Sequence, residues 1–133
     1  MNIINRIKSL NLPPNQFVVF GSGPMAIHGL RESEDVDLLV TDELYKNLKN
    51  LDWKEQASID GGKRLVNGNF EAYKRWDFGK YSPSPEEIIA VAEFHDDIPF
   101  APLIEVLKWK RASGRPKDLE DIKLIEEYMS KND

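Results

Sequence analysis

Two apolar runs stand close together near the start of the chain, and what lies between them narrows the possible folds more than any other feature. Phe17-Val18-Val19-Phe20 is apolar at every position, so it has no polar face to turn toward water. It predicts a strand from Gln16 to Phe20, buried on both sides. Asp35 to Val40 (DVDLLV) predicts a second strand. Between them, Gly21-Ser22-Gly23 turns the chain, and Pro24 to Gly29 has room only for a short helix. Pro24 suits a first helical turn, Ser22 or Gly23 can cap it, and Gly29 ends it. Strands buried on both faces need cover on both sides, so the class is α/β (α+β), with an α/β layer followed by a β-rich and then a helical one.

The rest of the chain fits that frame. Ile3, Ile4, Ile7 and Leu10 share one face of a helix over 2–10, which Pro13-Pro14 stops. Thr41 caps a helix with Leu44, Leu48 and Leu51 on its apolar side. Trp53–Ser58, Lys63–Val66 and Phe70–Trp76 read as strands, with turns at Gly61-Gly62 and Asn67-Gly68-Asn69. Ser84-Pro85-Glu86-Glu87 opens a helix through about Val91, and Phe94–Phe100 is irregular or a short strand. Pro102 opens a helix carrying Leu103, Val106, Leu107 and Lys110; Gly114 closes it. Arg115-Pro116 starts the last helix, whose buried stripe is Leu119, Ile122, Ile125 and Met129. The expectation is one domain over 1–133, ending in a helical pair.

The strongest chemical signal is Asp35-Val36-Asp37. Side chains repeat every two residues along a strand, so both carboxylates face one way, roughly 7 Å apart at Cα. Carboxylates held that close repel, and Mg²⁺ relieves the repulsion while also taking phosphate oxygens as ligands. The neighbouring Gly21-Ser22 turn leads into a helix N-terminus, where backbone N–H groups favour anions. A metal site beside a phosphate site is what phosphoryl or nucleotidyl transfer requires.

A dinucleotide fold competes for the same residues. Gly21-x-Gly23-x-x-Ala26 fits its phosphate-binding turn, and Asp42 follows about where a ribose-binding acid would sit. The short helix, the unexplained Asp35/Asp37 pair and the lack of repeated βαβ units count against it. A P-loop is excluded, because no Gly-Lys-Ser/Thr follows the first glycine at the needed spacing.

FGSGPMAIHGLRESEDVDLLV resembles the core motif of the DNA polymerase beta-type nucleotidyltransferase superfamily: Gly-Ser, a helix, then Asp-x-Asp. Arg31, Ser33, Asp35 and Asp37 resemble the local pattern of its small prokaryotic AbiEii-like branch. Lys110, Arg115, Lys117, Asp118 and Asp121 stand at places that also match that branch. The two segments cover about a third of the chain. The resemblance implies a minimal nucleotidyltransferase fold, with five or six strands in a mixed sheet flanked by helices. Gly21 and Ser22 would hold the triphosphate of an NTP. Asp35, Asp37 and a third acid from a neighbouring strand would bind two Mg²⁺ ions, and that third acid would activate the attacking hydroxyl. Glu71 is preferred for it, because a strand-interior side chain is aimed rigidly; Asp77, just past the strand, is the alternative. The acceptor would be a protein side chain, a tRNA 3′ end or a small molecule. No large acceptor-selecting domain is present, so a partner protein or homodimer would supply it, as in a toxin–antitoxin pair.

Several polar residues carry two readings. Lys110 and Lys117 suit triphosphate binding as point charges. Asp118 and Asp121 suit the start of the last helix and pairing with Arg115 or Lys110. Arg31 either binds phosphate or pairs with Glu34. His28 and the tryptophans Trp53, Trp76 and Trp109 read as packing residues. Composition removes other classes. With no cysteine, disulfides and thiolate metal sites are excluded. Two histidines speak against a His-based zinc site. A net charge of −5 opposes broad electrostatic capture of nucleic acid. No run is apolar enough to span a membrane and the N-terminus is too polar for a signal peptide, so a cytoplasmic protein is expected.

Overall fold

The structure, a computed structural model, describes residues 2–58 and 62–132. Its elements are α1 (Ile3–Lys8), β1 (Phe17–Phe20), α2 (Gly23–Ile27), β2 (Val36–Val40), α3 (Asp42–Asn50), β3 (Lys54–Ala57), β4 (Lys63–Asn67), β5 (Phe70–Tyr73), α4 (Pro85–Ala90), β6 (Glu93–His95), β7 (Ile98–Phe100), α5 (Leu103–Ser113), a 3₁₀ turn (Pro116–Asp118) and α6 (Leu119–Lys131). Among the described residues, seven strands form one mixed sheet in the order β3-β4-β5-β2-β1-β7-β6. β1 runs antiparallel to β2 and parallel to β7, while β2 and β5 are parallel.

The sheet is covered on both faces, as the uninterrupted apolar character of β1 requires. Phe17 and Val19 join one core with Ile4 and Ile7 of α1 and Leu44 and Leu48 of α3. Val18 and Phe20 join the other, with Met25 of α2, Ile88 of α4, and Val106, Leu107 and Trp109 of α5. The period of two along a strand sorts the neighbours in the same way. Val36, Leu38 and Val40 of β2 enter the first core, and Leu39 the second. Asp37 therefore projects to the side on which α5 and α6 pack.

Local chemistry explains the element ends. Thr41 Oγ1 accepts from the Leu44 N–H at the start of α3. Ser84 and Glu87 exchange both bonds of a capping box at α4. Gly114 ends α5 in the left-handed region, at φ 62.

Five expectations need correction. Leu51 is 71 % exposed, because α3 ends at Asn50; Tyr45 joins Leu44 and Leu48 inside. Leu119 is also exposed, at 66 %. The 3₁₀ turn sets the register of α6 so that Asp118, Asp121 and Ile125 face inward. The expected strand Phe70–Trp76 stops at Tyr73. Phe94–Phe100 becomes the β6–β7 hairpin, turned by Asp96 and Asp97 at φ 50 and 65. Aspartate tolerates that left-handed conformation without the glycine that usually announces such a turn. The hairpin brings the sheet to seven strands rather than five or six. Gly61, expected to share a turn with Gly62, lies outside the described residues. Among the described residues, no helix is long and apolar enough to cross a membrane.

Candidate functional site

The site grows from the end of β1. Gly21 follows Phe20 with φ +63, a conformation that glycine adopts without strain. In the β1–β2 register Phe20 lies opposite Asp37, and the Asp37 carboxylate occupies the space a Cβ on Gly21 would need. Glycine is thus required twice over, by its backbone angle and by the carboxylate lying against it. Gly23 is also confined, because a Cβ there would collide with Val19.

The loop before β2 is tied to this turn. Ser33 Oγ donates to the Asp35 carbonyl at 2.8 Å, so at its 2.7 Å contact with Ser22 Oγ the Ser22 hydroxyl is the donor. From α1, Arg6 donates to the carbonyls of Ser33 at 3.3 Å and Glu34 at 2.6 Å. At the end of the loop, the Val36 N–H bonds the Asn69 carbonyl at 2.8 Å, which starts the β2–β5 pairing. Asp35 itself sits one residue before β2, exposed at the strand mouth.

β5 brings in the third carboxylate. The parallel β2–β5 register sets Glu71 directly beside Asp37. Burial raises the Asp37 pKa, and the charges of Glu71 and Asp35 push it further, to about 7, against a smaller lowering by Arg64. Arg64 of β4 pairs with Glu71 Oε1 at 2.8 Å, and Tyr73 Oη donates to the same oxygen at 3.2 Å. Glu71 Oε2 has no hydrogen bond among the described residues. Asp77 belongs to a loop of its own, where Arg75 pairs with it at 3.0 Å and Ser82 Oγ donates to it.

α5 and α6 build the opposite wall. Lys110 is only 4 % exposed and lies between Asp118, at 3.0 Å, and Asp121, at 3.1 Å. Arg115 pairs with Asp118 and Arg31 with Asp121, both at 2.7 Å. Burial alone would raise the Asp118 pKa, but hydrogen bonds from Arg115, Ser113 and Lys110 outweigh it and hold the carboxyl below its ordinary value. The buried lysine thus meets full compensation, the condition for a charge to sit inside a protein at tolerable cost. Three cations (Lys110, Arg31, Arg115) face two carboxylates here, so this wall carries one surplus positive charge. Trp76 and Trp109 pack between the walls with their rings 5.0 Å apart, and both indole N–H groups are buried without a partner among the described residues.

These elements enclose a cleft of about 1110 Å³. Ser22, Arg31, Asp35, Asp37, Glu71, Lys110 and Lys117 line it, as does Asp77. Gly21 lies beneath Asp37 rather than on the wall. Arg31 pairs with Asp121, not with Glu34. Lys117 is exposed on the rim. Sequence reasoning missed Arg64 and Arg6. Arg64 was legible as a basic residue in a strand, but its placement on Glu71 follows only from the β4–β5 register. Arg6 acts through backbone carbonyls, which leave no trace in side-chain pattern. The two histidines also come together: His28, Glu93 and His95 each offer a ligand atom within 4.8 Å of the others.

No family model, curated protein or solved structure matches this chain.

The cleft suits a divalent cation with a phosphate ligand. The Asp37 pKa is raised first by burial and then by the charges of Glu71 and Asp35, which Arg64 offsets only in part, so a bound cation would relieve both. A hard cation takes oxygen donors of this kind and shares them with phosphate.

Proposed function

We propose that the protein is a Mg²⁺-dependent nucleotidyltransferase of minimal size, similar to the DNA polymerase beta-type superfamily and its AbiEii-like branch. The observation that carries this reading is the pairing of Asp37 with Glu71 on neighbouring strands, directly over Gly21 and with Asp35 at the strand mouth. Asp35, Asp37 and Glu71 would hold Mg²⁺, with two ions expected. When bound, the metal would offset the charge of the triphosphate and lower the pKa of an attacking hydroxyl.

The residues divide the remaining work. Ser22 and the turn at Gly21 receive the triphosphate of an NTP, opposite the surplus positive charge of the α5–α6 wall. Lys117, exposed on the rim, adds a further cation to that wall. Lys110 and Arg31 act through Asp118 and Asp121, which hold both in place. In the transfer, the acceptor oxygen forms a bond to the α-phosphorus, the bond from that phosphorus to the α–β bridging oxygen breaks, and pyrophosphate leaves. Glu71 Oε2 takes the acceptor's proton, while Arg64 and Tyr73 fix the other oxygen of that carboxylate. The acceptor is a hydroxyl on a protein, a tRNA or a small molecule. A partner protein or a second copy would select it, as in a toxin–antitoxin pair.

One observation favours a second reading. Arg64 already neutralises Glu71, as it would in a module that binds nucleotide or a partner without transferring anything. Incubation with Mg²⁺ and each α-labelled NTP, with RNA or protein acceptors present, separates the two. Label transfer that disappears in Glu71→Gln and in Asp35→Ala/Asp37→Ala supports the enzyme. Mg²⁺-dependent binding with no transfer to any acceptor supports the module.

A further inference from the structure

A second polar cluster lies away from the cleft, where the C-terminal end of α2 meets the β6–β7 hairpin and α6. His28 caps α2, and Glu93 and His95 stand two apart on β6. Residues at that spacing project to one side of a strand. One ligand atom from each residue lies within 4.8 Å of the other two. His28 Nε2 is 3.9 Å from Glu93 Oε1, and the two imidazole rings meet edge to face at 5.5 Å.

Two details point to a ligand. His95 Nε2 is buried and has no hydrogen-bond partner among the described residues. Such a nitrogen costs free energy unless something satisfies it. His28 Nδ1 lies 3.2 Å from Tyr128 Oη. With Nδ1 protonated and donating to that oxygen, Nε2 is left as an acceptor facing Glu93. A metal-binding histidine has this arrangement, its second ring nitrogen held by an outer hydrogen bond.

We propose that His28, Glu93 and His95 form a binding site for a borderline divalent transition metal, with Zn²⁺ the best match. Two imidazoles and one carboxylate suit zinc, whereas Mg²⁺ and Ca²⁺ favour all-oxygen sets. Ligands around a tetrahedral zinc stand about 3.3 Å apart, so closure from the present spacing needs only small side-chain rotations. Three protein ligands leave a fourth position open to water or another small donor. Glu93 is exposed, which gives the ion a route in. The site joins three elements remote in sequence: α2, the sheet-edge hairpin and, through Tyr128, α6. α2 starts directly after Ser22, so the ion would anchor the far end of the helix that opens at the Gly-Ser turn. The inference stands whether or not the cleft performs nucleotidyl transfer.

The test is calorimetric titration of chelator-treated protein with Zn²⁺ in excess Mg²⁺, repeated with Co²⁺ and read by visible absorption. One equivalent of Zn²⁺ should bind, and Co²⁺ should develop the d–d bands of a four- or five-coordinate nitrogen–oxygen site. Glu93→Gln and His95→Ala should each weaken binding at least tenfold. Glu93→Gln preserves shape at an exposed position, so it reads the site independently of any folding defect in His95→Ala. Tyr128→Phe should weaken binding about tenfold through His28. Asp35→Ala/Asp37→Ala should leave it unchanged. No Zn²⁺ binding in excess Mg²⁺, binding that survives both Glu93→Gln and His95→Ala, or binding lost with the cleft aspartates would overturn the proposal.

Discussion

Asp37→Asn removes the charge that the cleft tolerates least, and its effect should depend on pH in a defined direction. The folded protein raises the Asp37 pKa from 3.8 to about 7, first by burial and then through Glu71 and Asp35. Between those two values the folded chain keeps a proton that the unfolded chain has lost. The native state therefore binds more protons, and stability falls as pH rises through this window, levelling off above about 7. Each pH unit is worth about 1.4 kcal/mol, so the whole span has a ceiling of about 4 kcal/mol. The cleft is open to solvent, so about 2–3 kcal/mol is the expected size. Asparagine never ionises. Urea unfolding at closely spaced pH values should show wild type and Asp37→Asn nearly equal near pH 4. Their curves should separate steadily toward pH 8, with the variant more stable. Added Mg²⁺ at pH 8 should narrow the gap by stabilising the wild type alone. Parallel stability curves across that range would refute the reasoning, because they would mean that Asp37 ionises without strain.

Two further substitutions probe the two walls. Gly21→Ala forces a side chain into φ +63 and against the Asp37 carboxylate, and should lower stability in urea unfolding by about 2–4 kcal/mol. Lys110→Met leaves Asp118 and Asp121 buried without their shared cation. It should cost about 3–5 kcal/mol at pH 7, which thermal melts would check.

The sheet was legible where the sequence was most apolar. Phe17 to Phe20, apolar throughout, reads as a strand buried on both faces, and DVDLLV reads as a second strand, although β2 begins at Val36 and leaves Asp35 just outside it. Glu71 could be placed on a strand from local pattern, but its position beside Asp37 depends on the parallel β2–β5 register. That pairing crosses β3 and β4, and no local periodicity encodes it. Lys110, Asp118 and Asp121 were visible as a polar cluster, yet burial decides that they form one compensated group, and burial follows from how α5 packs on α6. Leu119 misled because a regular apolar stripe ignores the 3₁₀ turn that resets the helix register. His28 reads as a packing residue and His95 carries no signal of its own, since only the unannounced β6–β7 hairpin brings them together.

The central claim is that the Asp37–Glu71 pair and the Gly21–Ser22 turn form one Mg²⁺-dependent nucleotide site. Trp76 and Trp109 line the same cleft, so their fluorescence reports its occupation directly. Titration with an NTP should change that fluorescence saturably in the presence of Mg²⁺. Affinity should fall at least tenfold when Mg²⁺ is chelated and again in Asp35→Ala/Asp37→Ala. Nucleotide binding of equal strength with and without Mg²⁺, or in the double variant, would contradict the account.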